Sequence, residues 1–213
     1  IWNGTLSFNG SLMNSTLWLN RHTALNSNGG HFRCIKADYN ATIRPGGKGV
    51  IGTITTDTLQ LGFGSRLQID LTDTTKTDKI NAKVLTIETK TWKYGPKYLS
   101  PVVEFVIENV ATGTYDLGKV DNISGSLSNI VIEGIGTSFK SSLTYSNNHI
   151  YLIIANIREA ASIIWNGNES AVWDFAQSRN FTTATDSTAK TEFFVTGDKV
   201  LFDAAGSKKS VTL

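Results

Sequence analysis

The chain has 213 residues and a net charge of +2, from 20 basic and 18 acidic side chains. That is too little positive charge to gather many phosphates by counterion release, so nucleic acid is not an expected partner. Ser, Thr and Asn supply 62 of the 213 residues, which predicts a polar but mostly uncharged surface, and a 40% hydrophobic fraction with only three prolines predicts a folded chain rather than a disordered one.

Period 2 dominates the hydrophobic pattern. Beyond residue 40, short strands are predicted at 50–54, 58–61, 66–71 and 84–87, each bounded by Gly, Asn, Asp or Ser. The clearest is Arg66–Leu71, where Leu67, Ile69 and Leu71 alternate with Arg66, Gln68 and Asp70, so one set faces a core and the other faces out. More continuous apolar runs at 102–107 and 150–154 predict strands covered on both faces. Further strands are expected at 139–145 and 199–203. Only 155–162, reading Ala-Asn-Ile-Arg-Glu-Ala-Ala-Ser, has a helical pattern. The predicted class is all-β, and no apolar run reaches the 18 residues of a membrane-crossing helix.

Short strands separated by Gly or Asn fit a sandwich, a barrel or a solenoid. Asparagines at predicted turns (Asn20, Asn26, Asn28, Asn129, Asn147 and Asn148) favour the solenoid, where stacked coils let like side chains bond one another. Asparagine is also the ordinary residue of left-handed turns. Ile1-Trp2-Asn3-Gly4 returns as Ile164-Trp165-Asn166-Gly167, too far along the chain for a single coil, and is expected to mark the start of a module. Residue 1 is isoleucine and no secretory leader pattern is present, so the chain is expected to begin inside a larger gene product.

Candidate chemistry is sparse. A glycosidase needs two carboxyl groups flanking a sugar bond, and the place to look is Asp70, Asp73 and Asp78, with Glu104 and Glu108 nearby in sequence. Asp70 is expected to face out from its strand, with Asp73 and Asp78 in a loop. The same aspartates lack the spacing of a calcium loop. His22, His31 and His149 lack zinc-ligand spacing, and Cys34 reads as a small packed side chain rather than a nucleophile. Gly46-Gly47-Lys48-Gly49 has no helix after it to complete a phosphate cradle. No catalytic, cofactor-binding or metal-ligating residue is therefore assigned. Asn-x-Ser/Thr sites at Asn3, Asn9, Asn14, Asn40, Asn122, Asn168 and Asn180 are expected to reflect turn composition.

Two stretches resemble passenger regions of bacterial autotransporters, the type V secreted proteins. The first runs from Ala41-Thr42-Ile43-Arg44-Pro45-Gly46-Gly47 through Gly64-Ser65-Arg66-Leu67 to Thr77-Asp78-Lys79-Ile80, and is joined by the turn and strand Tyr145-Ser146-Asn147 and Tyr151-Leu152. The second holds Trp165-Asn166-Gly167, Trp173-Asp174, Asn180-Phe181, Gly197-Asp198-Lys199-Val200-Leu201-Phe202-Asp203 and Val211. It is similar to the autotransporter-associated β-strand repeat. Phe181 stands where that repeat usually has tryptophan, and Ala204 where a second aspartate is common. The resemblance implies a right-handed parallel β-helix (solenoid), with passenger coils over 1–162 and the repeat over 163–213. In it, Val200 and Phe202 would point inward and Asp198 and Asp203 would mark turns. It also implies an exported rod that is structural or adhesive, either anchored at the bacterial cell surface through an outer-membrane β-barrel or secreted. Its expected partners are a host-cell or matrix glycan or protein, or further copies on other cells, with no cofactor. A carbohydrate-active β-helix enzyme (lyase or glycoside hydrolase) and a phage-type receptor-binding fibre remain the alternatives.

Overall fold

Alternating apolar and polar residues fit a pleated surface with one buried face, and this chain uses that pattern almost throughout. The computed structural model describes residues 2–88, 100–107, 111–136, 139–174, 178–183, 191–195, 197–202 and 211–212. Its strands are β1 (Trp2–Ser7), β2 (Ser11–Ser27), β3 (Gly30–Ala37), β4 (Thr42–Pro45), β5 (Thr53–Leu61), β6 (Arg66–Leu71), β7 (Lys79–Ile87) and β8 (Val102–Ile107). They continue with β9 (Gly113–Ser124), β10 (Val131–Glu133), β11 (Phe139–Ser146), β12 (His149–Asn156), β13 (Ser162–Trp165), β14 (Phe181–Thr183), β15 (Thr191–Glu192) and β16 (Lys199–Phe202). Two compact units result, Ile1–Ile135 with Ser141–Ile153, and Gly136–Lys140 with Ile154–Leu213. The fold is all-β, with a large, mostly parallel sheet of 12 strands.

In the first unit most strands skip a neighbour before pairing. One parallel ladder runs β2-β4-β6-β8-β10 and the other runs β2-β3-β5-β7-β9. The 17-residue β2 belongs to both. Its first half pairs with β3 and its second half with β1 and β4, and it turns between them at Arg21 and His22, whose φ values are 38° and 60°. Register then stacks like on like. Leu17, Ile35, Leu59 and Leu85 form one buried column, and Leu25, Ile43, Leu67 and Val103 another. Each such side chain stabilises the unit by roughly 1.5–3 kcal/mol through its removal from water. Outward residues bond across the rungs as well: Arg44 Nε donates to Gln68 Oε1, and Gln68 Nε2 donates to Glu104 Oε2 at 3.3 Å.

Several expectations change here. Strands β8 and β12 alternate buried with half-buried residues rather than being covered on both faces. Residues 50–52 are a loop, with Val50 and Ile51 exposed, and the strand starts at Thr53. The helix expected at 155–162 does not form. Asn156 still belongs to β12, Ala161 N donates to Asp198 Oδ1, and Ala161 O accepts from Lys199 N, so the backbone groups of a helical turn are spent on β16 and its approach. Asn147 and Asn148, with φ of 51° and 61°, form the two-residue turn between β11 and β12 instead of stacking. Two positive φ values are what a tight hairpin turn requires.

The second unit has a four-stranded sheet in the order β15-β14-β13-β16, where β13 and β16 are parallel and the other pairs antiparallel. Its core is a cluster of rings. Trp165 and Phe181 are buried, with Trp173, Phe194 and Val200 packed on them. Phe202 lies 6.2 Å from Trp165 between ring centroids but is 53% exposed, so it does not point inward as the repeat implied. Asp203 and Ala204 lie outside the described residues.

Candidate functional site

The carboxylates singled out in the sequence are brought partly together. Asp78 is fully buried, and its two oxygens accept backbone N–H groups from Gly52 at 2.7 Å and Asp70 at 2.9 Å. Asp70 is buried too, at 6% exposure, rather than facing out; its Oδ2 accepts from Gly49 N at 2.7 Å. Burial pushes both carboxyl groups up, Asp78 to about 7, against the N–H donors that pull them down. Together the two side chains hold the loop between β4 and β5 against β6, and their oxygens face protein rather than solvent. Asp73 sits instead in an exposed turn, accepting from Thr75 N, Thr75 Oγ1 and Lys76 N at 2.6–2.9 Å, which lowers its pKa. Glu104 is 3.0 Å from Arg66 on the outer face, and Glu108 lies outside the described residues. Among the described carboxylates, Asp70 and Asp78 are spent on backbone N–H groups inside the fold, whereas sugar hydrolysis needs two carboxyl groups flanking a bond.

The histidines are separated. His22 lies at the corner of β2, His31 is on β3, and His149 starts β12. His149 Nδ1 is 2.9 Å from Asp116 Oδ1, Lys79 Nζ is 3.1 Å from Asp116 Oδ2, and the His149 ring stacks on Tyr151 at 6.0 Å. Burial pushes Asp116 up, but bonds from His149, Gly118 and Lys79 outweigh it and hold the carboxyl below its ordinary range. The cluster ties β7, β9 and β12 together. Among the described residues no group of three or more His, Cys, Asp or Glu side chains is placed to hold a metal. Cys34 is half-buried beside Thr58 in the rung register, which fits packing. Trp165 and Trp173 stack at 6.5 Å and 21°, but Trp165 is 2% exposed, so their faces pack a core.

The surface that sequence reasoning missed lies on the second ladder. The alternation in β3, β5 and β7 slips by one residue at 33–34, 57–58 and 83–84, and the rung register skips at the same places. The strands bend there and Arg33, Asp57 and Lys83 fall in line, with Asp121 of β9 beside Lys83. Charge alternates down that column. Lys83 Nζ is 2.7 Å from Asp57 Oδ1, and Lys119 Nζ is 3.0 Å from Asp121 Oδ1. The bend opens a groove of about 180 Å³ lined by His31, Thr55, Asp57, Asn81, Lys83 and Lys119, with Asp121 beside them. Asn81 Oδ1 accepts from Lys119 N at 3.0 Å. The signal was present as residues of alternate sign, each interrupting an otherwise regular strand, but it needed the rung register to become a column. No protein-family model matches the chain, and no curated protein sequence matches it.

Proposed function

We propose that the chain is a stretch of right-handed parallel β-helix from an exported bacterial surface passenger, displayed outside the cell as a structural or adhesive rod. The observation that carries this is the pair of parallel ladders in which strands skip a neighbour to pair and like residues stack in register. Such coils bury their inner faces only against one another, so stability is a sum over neighbours and the array can extend as a rod. The Pro45-Gly46-Gly47, Gly64-Ser65-Arg66-Leu67 and Asp78 segments that resemble passenger regions lie at the end of β4, at the start of β6 and just before β7. Half-buried and exposed Thr, Asn and paired charges on the outside suit weak, repeated contacts with a host-cell or matrix glycan or protein, or with a second cell, strengthened by many copies.

The test is antibody raised against the purified chain, applied to intact bacteria. Labelling of whole cells that is removed by external protease agrees with display; signal only after lysis contradicts it. A parallel reducing-sugar release assay separates the enzymatic reading: sugar release by the purified chain, absent from a heat-unfolded sample, would favour a carbohydrate-active enzyme.

A further inference from the structure

The groove across β3, β5, β7 and β9 holds chemistry that the packing of the rungs does not require. Its walls combine polar side chains with the small residues Thr56 and Ala82, both buried. Those walls carry two amines and two carboxylates, paired as Lys83 with Asp57 and Lys119 with Asp121. Their charges cancel. A polyanion drawn to the lysines would meet Asp57 and Asp121 at nearly the same range, and a polycation would meet the converse. Two adjacent hydroxyls fit differently. One donates to the carboxylate oxygen while the other accepts from the neighbouring ammonium, so each Lys–Asp pair is a complete partner for a vicinal diol. Thr55 and Asn81 stand in register on consecutive rungs and add a hydroxyl and an amide. The rung spacing of about 4.8 Å sets these polar groups along the stacking direction as a repeating array.

We propose that this groove binds an uncharged, hydroxyl-rich chain, a neutral glycan, laid along the stacking axis of the rungs. This rests on the display function above, since it names what the rod holds. Nothing in the core depends on the four charged side chains, which are between 29% and 70% exposed.

The test places the purified full chain on an array of neutral glucans, mannans and galactans beside hyaluronan and dextran sulfate, followed by titration of the best neutral ligand. Lys83→Ala and Asp57→Ala should each weaken binding about tenfold, while Glu133→Gln on the other ladder leaves it unchanged. Affinity should change little with salt. Equal binding by the groove variants, preference for the anionic polymers with steep salt dependence, or an array that retains nothing would overturn the groove as a glycan site. Groove-dependent binding by a chain that fails the intact-cell labelling would overturn surface display and leave the groove standing.

Discussion

Asp78 Oδ1 accepts the Gly52 backbone N–H at 2.7 Å from a position with no solvent exposure. One carboxyl thus joins the end of the β4–β5 loop to β6, because its other oxygen takes the Asp70 N–H. Unfolded, that carboxyl titrates near 3.8; folded, burial raises it to about 7, with the negative charge of Asp70 adding to the rise.

The folded state therefore holds a proton that the unfolded state releases over that window. Stability of the first unit should fall as pH rises from about 4 to about 7, by on the order of 4 kcal/mol from Asp78 alone. Asp116 acts in the opposite sense: its folded value is depressed, so its contribution is present above the ordinary carboxylate range and is lost in stronger acid. Asp78→Asn cannot ionise and should flatten the dependence between roughly pH 4 and 7, at lower stability overall because one buried N–H loses its acceptor. Melting temperatures across that range check this, and an unchanged slope in the variant contradicts it.

Gly46 and Gly49 share one loop and one backbone sign, with φ of +76° and +75°. A Cβ on Gly46 would lie 1.8 Å from Val50 O, whereas a Cβ on Gly49 meets nothing within 4 Å. Both alanine variants incur about 1–2 kcal/mol for a left-handed conformation. Gly46→Ala must also displace the loop and its N–H donors from Asp70 and Asp78, which adds roughly 1–3 kcal/mol. Urea unfolding of the two variants should separate them clearly; equal midpoints would mean that the loop is not packed this tightly.

Asp198 has no side-chain exposure and accepts from Arg158 Nη1 at 2.7 Å, Arg158 Nη2 at 2.6 Å, Ala161 N at 2.9 Å and Val195 N at 2.8 Å. Burial pushes its carboxyl up, but these donors outweigh burial and hold the pKa below its ordinary value. Asp198→Ala takes the carboxylate from Arg158, which keeps Glu159 O, Phe193 O and Glu192, and leaves the Ala161 and Val195 N–H groups without their acceptor, and should cost roughly 1–3 kcal/mol in the second unit. Lys119→Ala removes a solvent-exposed partner and should change stability by less than about 1 kcal/mol. Amide hydrogen exchange at Ala161 and Val195 should speed up in Asp198→Ala, and protection equal to the parent chain would refute this role.

The alternation in Arg66–Leu71 and 84–87 is readable because each segment sets buried against half-buried residues, and strands stand there; a strand also stands at 139–145, although it buries no side chain. The same alternation puts Asp70 outside, and the structure buries it. That burial depends on Gly49 arriving from the β4–β5 loop, which no local pattern contains. The Ala155–Ser162 pattern fails for the same kind of reason: Arg158 and Ala161 are claimed by Asp198, some 40 residues away. β2 carries no regular period, since its corner at Arg21 and His22 resets the face that is buried. The groove is the extreme case. Its charged residues are dispersed singly along the chain, and only rung register assembles them.

Stacked parallel coils require a constant offset between β5 and β7, and cysteine trapping reads that offset directly. Thr55 pairs with Asn81 and Gln60 with Thr86, the same separation of 26 positions at both ends of the strand. In a Cys34→Ser background, Thr55→Cys/Asn81→Cys and Gln60→Cys/Thr86→Cys should each form an intramolecular disulfide, since neighbouring rungs hold their Cα atoms within the reach of such a bond. The crossed pairs, Thr55→Cys/Thr86→Cys and Gln60→Cys/Asn81→Cys, should stay reduced. Oxidation of the crossed pairs with the in-register pairs left free would mean antiparallel strands, and the stacked-coil rod would be wrong.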